Sequence, residues 1–494
     1  MQTHLKGFGL ENFRVFKDYT WFDFAPITIL TGPNNSGKSS LLKAFLLLKD
    51  NFDKGLLPPK FDSIYSGHND GRVMIGVDKN GVVYDENRRE EPSYHESFEP
   101  KKLIFDGNVH GLNSPVSTKF RGGVNNEMYF KIPYEFNKTT LIYKLTFKID
   151  STKDEANVIY KIELFDSNVT DKKLLIIEPH SIFFDIEFYN EIFSERDKIS
   201  NIPKECKNSV YSDAGISFQY WFSENQFDED RKKIAELAIK VLRVLGITEN
   251  FDGSFSCKTI ENYFNRLDFW ASSENEQKRI YSERDSSKFK QLLQDFHKAS
   301  QNLDAKNIFE DFANEFGIKG QINSFFEREK GTYFPNIDGL ALTNFGYGYT
   351  QLISLFFKII VHAHKNCEMW QGETFEHDST LMLEEPEVNL HPNLQSKLAD
   401  LFAIASKQTN TQFLIETHSE YMIRKFQYLV LKDQIKPEGI VIYYFKDPND
   451  TTEEPLVKKI NIQKDGRLTG GFGNGFLDET GRLMSSLLTG EYLN

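Results

Sequence analysis

Ile27-Thr-Ile-Leu-Thr31 runs straight into Gly32-Pro33-Asn34-Asn35-Ser36-Gly37-Lys38-Ser39, and this stretch decides the fold. The first five residues are a short apolar run closed by glycine and proline, which predicts a buried strand. The next eight fit G-x-x-x-x-G-K-[ST] in full. Glycines let the backbone curl so that successive N–H groups point at phosphate oxygens. Lys38 can then reach the β- and γ-phosphates, and the Ser39 hydroxyl is placed to ligate Mg2+. Ser39 to Leu48 (SSLLKAFLLL) reads as the following helix, whose positive end adds to the anion site. Strand, loop and helix together are the context the motif needs. Asn34, Asn35, Ser36, Gly37, Lys38, Ser39 and Ser40 are therefore the candidate phosphate-binding residues.

Three further stretches carry chemistry. Thr380-Leu-Met-Leu-Glu384-Glu385-Pro386-Glu387 is an apolar run that empties into adjacent carboxylates, as a phosphoryl-transfer site holds Mg2+ and polarises water. Neighbouring strand residues point to opposite faces. Glu384 is accordingly assigned to the Mg2+ shell and Glu385 to positioning the attacking water; a solvated strand end is the plain alternative. QFLIETHSEYMI places His418 just past an apolar strand, 33 residues after Glu385. There it could contact the γ-phosphate, or simply cap the strand. Asn344-Phe-Gly346-Tyr-Gly348-Tyr-Thr350-Gln351 opens a helix, LISLFFKII. Its free N-terminus makes a second anion site. One chain needs a single phosphate cradle, so Gly346, Gly348 and Gln351 point to a composite site shared by two chains; an ordinary glycine-rich helix entry is the other reading.

Around these motifs the periodicity changes twice. Residues 70–180 are β-rich (MYFKIPY, LIYKLTFKI, VIYKIELF, LLIIEP). Residues 226–332 switch to helical spacing, as in Asp230–Gly246 and Ser287–Leu303. From about 340 an α/β rhythm returns, with strands at Thr380–Leu383 and Gln412–Glu416 and edge strands expected within 439–461. The simplest organisation is one α/β core split in sequence. Its halves are 1–69 and 336–494, with a β-rich segment (70–225) and a helical insertion (226–335) between them.

The chain has 494 residues, of which 39% are hydrophobic, with 44 Phe and 21 Tyr, so large cores can be built and global disorder is excluded. Its 59 basic residues against 72 acidic give a net charge of -13, a poor balance for coating nucleic acid nonspecifically. Cys206, Cys257 and Cys367 lie far apart, which predicts free thiols in a reducing compartment. The N-terminus lacks the layout of a signal peptide. The most apolar stretch, Leu352–Val361, is too short to span a bilayer. A soluble cytoplasmic protein with no membrane partner is expected. His362 and His364, two apart on a helix, point away from each other and read as structural.

The order phosphate loop, glycine–glutamine helix start, acidic strand, histidine resembles the ABC-type ATPase head of the SMC-like superfamily. The nearer likeness is to the bacterial OLD-like ATPases, including the Septu-type ATPases of anti-phage defence. LKGFGLENFRVFKDYTWFDFAPITILTGPNNSGKSSLLKAF is similar to their opening, EEPEVNLHP to their acidic strand and dimer-contact loop, and THSEYMI to their switch segment. The likeness covers about residues 1–50 and 340–480. It implies an α/β P-loop NTPase of ABC/SMC-head type, split by a β-rich and a helical insertion, that binds ATP and Mg2+. Lys38, Ser39, Glu384, Glu385 and His418 carry over as functional residues, and Asn12 and Arg14 as nucleotide contacts. Two features depart from the family. F-G-Y-G-Y-T-Q stands where L-S-x-G-x-Q is usual, and no Mg2+-contacting glutamine is placed between loop and signature.

The resemblance implies an ATPase whose copies are bridged by ATP and which regulates a separately encoded effector nuclease, with nucleic acid reached through that complex. Many OLD proteins add a nuclease domain of their own. Here 76 residues follow His418, and Asp447-Pro-Asn-Asp450 reads as a hairpin turn rather than a metal site. The alternatives are a repair or recombination ATPase acting directly on DNA, a transporter's nucleotide-binding subunit, and a nucleotide-binding scaffold without turnover.

Overall fold

The apolar run Ile27–Thr31 forms a strand (β1) buried at every position. Lys38–Asp53 is the helix (α1) that follows the loop. In this computed structural model the described residues are 5–53, 126–136, 139–150, 155–166, 169–178, 181–184, 255–272, 286–300, 312–318, 329–370, 378–447, 455–473 and 479–489, with the short pieces 75–77, 83–85, 112, 210–211, 247–249, 281–282, 320, 322–327 and 373–376.

Two units are distinguished along the chain. One comprises Met1–His4, Phe24–Leu42 and Arg266–Asn494; the other comprises Leu5–Asp23 and Lys43–Asn265.

The first unit is built on a six-stranded sheet. Besides β1 it holds β2 (Leu267–Ala271), β3 (Ser379–Glu384), β4 (Thr411–Glu416), β5 (Ile440–Phe445) and β6 (Val457–Ile460), in the order β2-β3-β4-β1-β5-β6. The first five run parallel, and β6 closes the sheet antiparallel to β5. β4 and β5, like β1, are buried at every position, the pattern of parallel strands covered on both faces. The helices are α2 (Tyr347–Asn366), α3 (Pro392–Thr409) and α4 (Glu420–Leu431). Leu352 to Val361 of α2 is buried on nearly every side, with Phe357 stacked 4.0 Å from Phe296. That burial accounts for the most apolar stretch of the sequence. Local signals set the helix ends. The Ser419 hydroxyl accepts from the Met422 N–H at the start of α4, and Asn410 ends α3 in the left-handed conformation.

The second unit is an eight-stranded antiparallel sheet containing Gly7–Glu11, Thr20–Asp23 and the four long strands Glu127–Phe136, Thr139–Asp150, Glu155–Asp166 and Val169–Glu178. One face is apolar, with Phe8, Phe130 and Phe147 fully buried and Phe8 packed 4.2 Å from Phe45. On the alternate positions Lys144 pairs with Glu163 at 2.9 Å and lies 4.3 Å over the Tyr129 ring.

Two elements sit elsewhere than the sequence led us to expect. Leu267–Ala271 falls inside the stretch read as a helical insertion, yet it is an edge strand of the central sheet, in register with β3. The helices on either side, Lys258–Asn265 and Lys288–Ala299, dominate the local periodicity and mask its five residues. Ile440–Phe445 was expected at an edge but lies inside the sheet between β1 and β6. Its unbroken apolar run, without alternation, is the signature of that interior place. The helix expected over Asp230–Gly246 and the residue Cys206 lie outside the described residues. Among the described residues, no helix is long and apolar enough to cross a membrane.

Candidate nucleotide site

Parallel strands deliver their carboxyl ends to one edge of a sheet, where open α/β folds bind ligands. Here β1 ends in the phosphate loop, β3 in Glu384 and Glu385, and β4 in Glu416 and His418.

The loop's backbone demands its glycines. Gly32 has φ 141° and Gly37 φ 101°, and Asn35 between them is left-handed at φ 60°. A Cβ on Gly32 would lie 2.2 Å from the Phe445 carbonyl oxygen, so no other residue fits there. Asn34 and Asn35 are exposed at the tip, while Ser36 and Ser40 are buried at its base. Lys38, 3% exposed, folds its ammonium back to the Gly32 and Pro33 carbonyl oxygens at 3.0 and 2.8 Å. Burial lowers its pKa, while Glu416, Glu385 and Glu387 oppose that shift.

Ser39 brings in a residue that the sequence reading did not assign. Its hydroxyl donates to Glu416 Oε1 at 2.8 Å. Glu416 is 4% exposed, and its Oε2 is buried without a hydrogen-bond partner. Burial raises its pKa to about 7, aided by the Glu384 and Glu385 charges and opposed by the Ser39 bond and Lys38. β3 and β4 run in register with Glu384 opposite Glu416, so two strands end in facing acids. The signal was present in the sequence, since F-L-I-Glu416 repeats the pattern of L-M-L-Glu384. Its significance lies in the strand order, which inserts β4 between the acidic strand and β1.

Glu385 is left-handed at φ 48°, and its N–H donates to the Glu416 carbonyl at 2.9 Å. Its carboxylate stands half-exposed, with His418 Nε2 at 3.8 Å from Oε1. Burial and then Lys38 lower the His418 pKa, and Glu385 opposes them. The His418 N–H donates to Glu387 Oε1 at 2.7 Å. Glu387 is itself buried, with its pKa raised by desolvation, and ties the acidic loop to the switch segment. Lys38, Ser39, Glu384, Glu385 and His418 are thus brought to one edge of one sheet.

The glycine–glutamine segment lies differently. Gly346 is exposed, and a Cβ there would meet nothing within 4 Å. A Cβ on Gly348 would come within 2.4 Å of the Asn389 carbonyl oxygen, so this glycine seats the helix start against the loop after Glu387. Gln351 is fully buried and accepts from Asn389 Nδ2 at 3.4 Å, with its own Nε2 unpartnered. Within this chain Gln351 braces that loop. Asn12 and Arg14 belong to the antiparallel unit. Both are left-handed, at φ 54° and 51°, in the turn after Gly7–Glu11, and Asn12 Nδ2 donates to the Glu127 carbonyl at 2.8 Å.

The residues present fit a nucleotide with a divalent cation. The cradle admits no Cβ at Gly32, a lysine spans it, and the carboxylates Glu384, Glu385 and Glu416 outnumber the buried ammonium of Lys38. The orphaned Oε2 of Glu416 is the acceptor such a cation would satisfy. Mg2+ is commonly held by one or two carboxylates together with substrate phosphates.

The chain is 22% identical over 419 residues to the endonuclease GajA of Bacillus cereus (strain HuB5-5), covering 80% of this chain and 52% of that protein. It therefore spans about half the length of that relative. Among solved structures it is similar to the SMC head domain from Thermotoga maritima, with a TM-score of 0.35 and 11% identity over 94% of this chain and 100% of that one. It is also similar to the Smc head domain with an extended coiled coil from Pyrococcus furiosus, bound to the C-terminal domain of ScpA, with a TM-score of 0.35 and 11% identity over 98% of this chain and 99% of that one. Residues 435–487 match a family described as a protein of unknown function, DUF3696. Residues 4–423 match the family described as AAA ATPase domain, which covers most of the sequence, and the chain belongs to that family.

Proposed function

We propose that this protein binds and hydrolyses ATP with Mg2+, that ATP bridges two copies, and that the bridged state regulates a separately encoded nuclease in anti-phage defence. The observation that carries the first part is Lys38 and Ser39 meeting Glu385, Glu416 and His418 at one sheet edge. Lys38 exchanges its bonds to the Gly32 and Pro33 carbonyls for phosphate oxygens. Ser39 and Glu384 hold the cation, which neutralises charge developing on the transferred phosphoryl group. Glu385 orients the attacking water, and His418 beside it contacts the terminal phosphate. Exposed Gly346 and the open start of α2 offer an anion-binding end to a second copy. Resemblance to the OLD-like and Septu-type ATPases, with the 22% identity to a protein named an endonuclease, supports the place in defence.

Phosphate release by the purified chain tests the enzymatic part. We expect turnover in the wild type and at least a ~100-fold loss in Lys38→Ala, since the lysine acts on the reacting phosphates. No turnover in the wild type sinks the ATPase reading. Affinity purification from the native host tests the regulatory part. A stoichiometric nuclease supports it, and recovery of DNA with repair proteins alone moves the function to repair.

A further inference from the structure

A hydroxyl that ligates a cation keeps its proton, and that proton needs an acceptor. Ser39 already has one, since its O–H donates to Glu416 Oε1 at 2.8 Å and leaves the oxygen lone pairs free for a metal. Glu416 gains little from a purely structural life there. It is 96% buried by its 4% exposure, yet one carboxylate oxygen has no hydrogen-bond donor among the described residues. A buried acceptor left without a donor is costly, more so when charged. The nearest positive group, Lys38, spends its contacts on the Gly32 and Pro33 carbonyl oxygens. The backbone holds the carboxylate in place, because the Glu416 carbonyl accepts the Glu385 N–H at 2.9 Å. Its strand is paired on both sides, with β3 and with β1.

We propose that Glu416 is a metal-positioning residue, holding the Mg2+ of bound nucleotide alongside Ser39 through the oxygen that Ser39 does not use. It does so beside Glu384, its register partner on β3. The inference rests on the nucleotide-site reading above and goes beyond it. The acid is supplied by β4, the strand between the acidic strand and β1. A role limited to bracing Ser39 predicts something different. Glutamine at this position keeps an acceptor for the Ser39 hydroxyl, so a bracing role would survive the substitution unchanged, whereas metal holding would weaken as the carboxylate charge is lost.

The test is binding of a fluorescent ATP analogue to the full chain, titrated with Mg2+ and repeated in EDTA, for wild type, Glu416→Gln and Glu384→Gln. Mn2+ occupancy read by electron paramagnetic resonance is the second readout. We expect Glu416→Gln to raise the Mg2+ concentration needed for half-maximal binding by about 10-fold or more, with a parallel loss of bound Mn2+. Metal-free affinity should be at least as tight as wild type, because a negative charge near the phosphates is gone. A Mg2+ requirement equal to wild type overturns the proposal and leaves the nucleotide site standing. Absence of nucleotide binding in the wild type overturns both. Should Glu416→Gln fail to fold, as read by thermal melting, Glu416→Asp decides the matter. It keeps the charge but withdraws the oxygens by one methylene, so a raised Mg2+ requirement supports the proposal and an unchanged one overturns it.

Discussion

At Gly32 the chain turns out of β1 with φ 141°, and any side chain would begin 2.2 Å from the Phe445 carbonyl oxygen. Phe445 ends β5, whose pairing with β1 cannot shift without opening the sheet. Gly32→Ala is therefore expected to destabilise the fold by about 2–4 kcal/mol, adding backbone strain to a steric conflict. Denaturant unfolding measures that loss, and loss of nucleotide binding should accompany it because the loop cannot close on phosphate. The same residue shows what sequence could reveal. Gly32, Gly37, Lys38 and Ser39 lie within eight consecutive residues, so their joint geometry is encoded in one short stretch of sequence. Glu416 lies 377 residues from Ser39, and only the insertion of β4 beside β1 makes them neighbours. Gln351 was legible as a residue type at a helix start, but its burial against Asn389 depends on Gly348 admitting that loop, which no local pattern announces.

Among the elements, β2 and α2 meet through a polar cluster at the end of the sheet away from the phosphate loop. Lys358 Nζ lies 2.6 Å from Asp268 Oδ2, and His362 Nε2 lies 3.1 Å from the same oxygen. His362 Nδ1 reaches Ser379 Oγ at 3.0 Å, and Asn366 donates to that hydroxyl at 2.9 Å and to the Thr409 carbonyl at 2.7 Å. These bonds tie two strands and the ends of two helices, which explains how five residues as plain as LDFWA join the core. His362 therefore has a structural role, as its spacing from His364 led us to expect. Asp268→Ala strands Lys358 and His362, and we expect a loss of about 2–4 kcal/mol by chemical denaturation, less than for a fully buried pair because 31% of the Asp268 side chain stays exposed. The pH dependence has a definite sign. Burial lowers the His362 pKa below its usual 6.5, so the unfolded chain takes up a proton that the folded chain refuses. The stability this histidine contributes is present above about 6.5 and is lost as pH falls towards the folded value. Asp268, held well below the ordinary carboxylate range chiefly by Lys358 against the cost of burial, changes only below about pH 4 and leaves this window alone. The stability difference between wild type and His362→Gln should accordingly shrink between pH 7.5 and 5.5. A pH-independent difference would show that the histidine does not stay neutral in the fold.

At the scale of the molecule, the family match over 4–423 runs across both units, so the antiparallel sheet belongs to the same family chain as the phosphate loop. Lys38 and the acids stand together at one sheet edge, whereas in the glycine–glutamine segment Gln351 is buried and only the start looks outward. Tyr347 and Tyr349 are 47% and 40% exposed on either side of Gly348, and Gly346 faces open space. The Tyr349 and Thr350 N–H groups donate back to the Gly346 carbonyl at 3.0 and 3.2 Å, so what this helix start would offer a second copy's phosphate is the positive end of its dipole. Glu385→Gln keeps the shape of the side chain while removing the carboxylate proposed above to orient water, so it should bind ATP without discharging it. ATP is expected to shift this variant to a dimer or larger assembly in light scattering, and ADP to leave it unshifted. Gly346→Arg, added to Glu385→Gln, starts a long side chain at a Cβ that meets nothing within 4 Å apart from its chain neighbours. The double variant should melt at the same temperature and bind ATP as tightly per chain, yet remain unassembled, because the arginine occupies the approach of the partner's nucleotide. If Glu385→Gln alone stays unassembled with ATP bound, the bridging mechanism is wrong. If the double variant still assembles, the copies meet through another surface and the open start of α2 is no more than a helix entry.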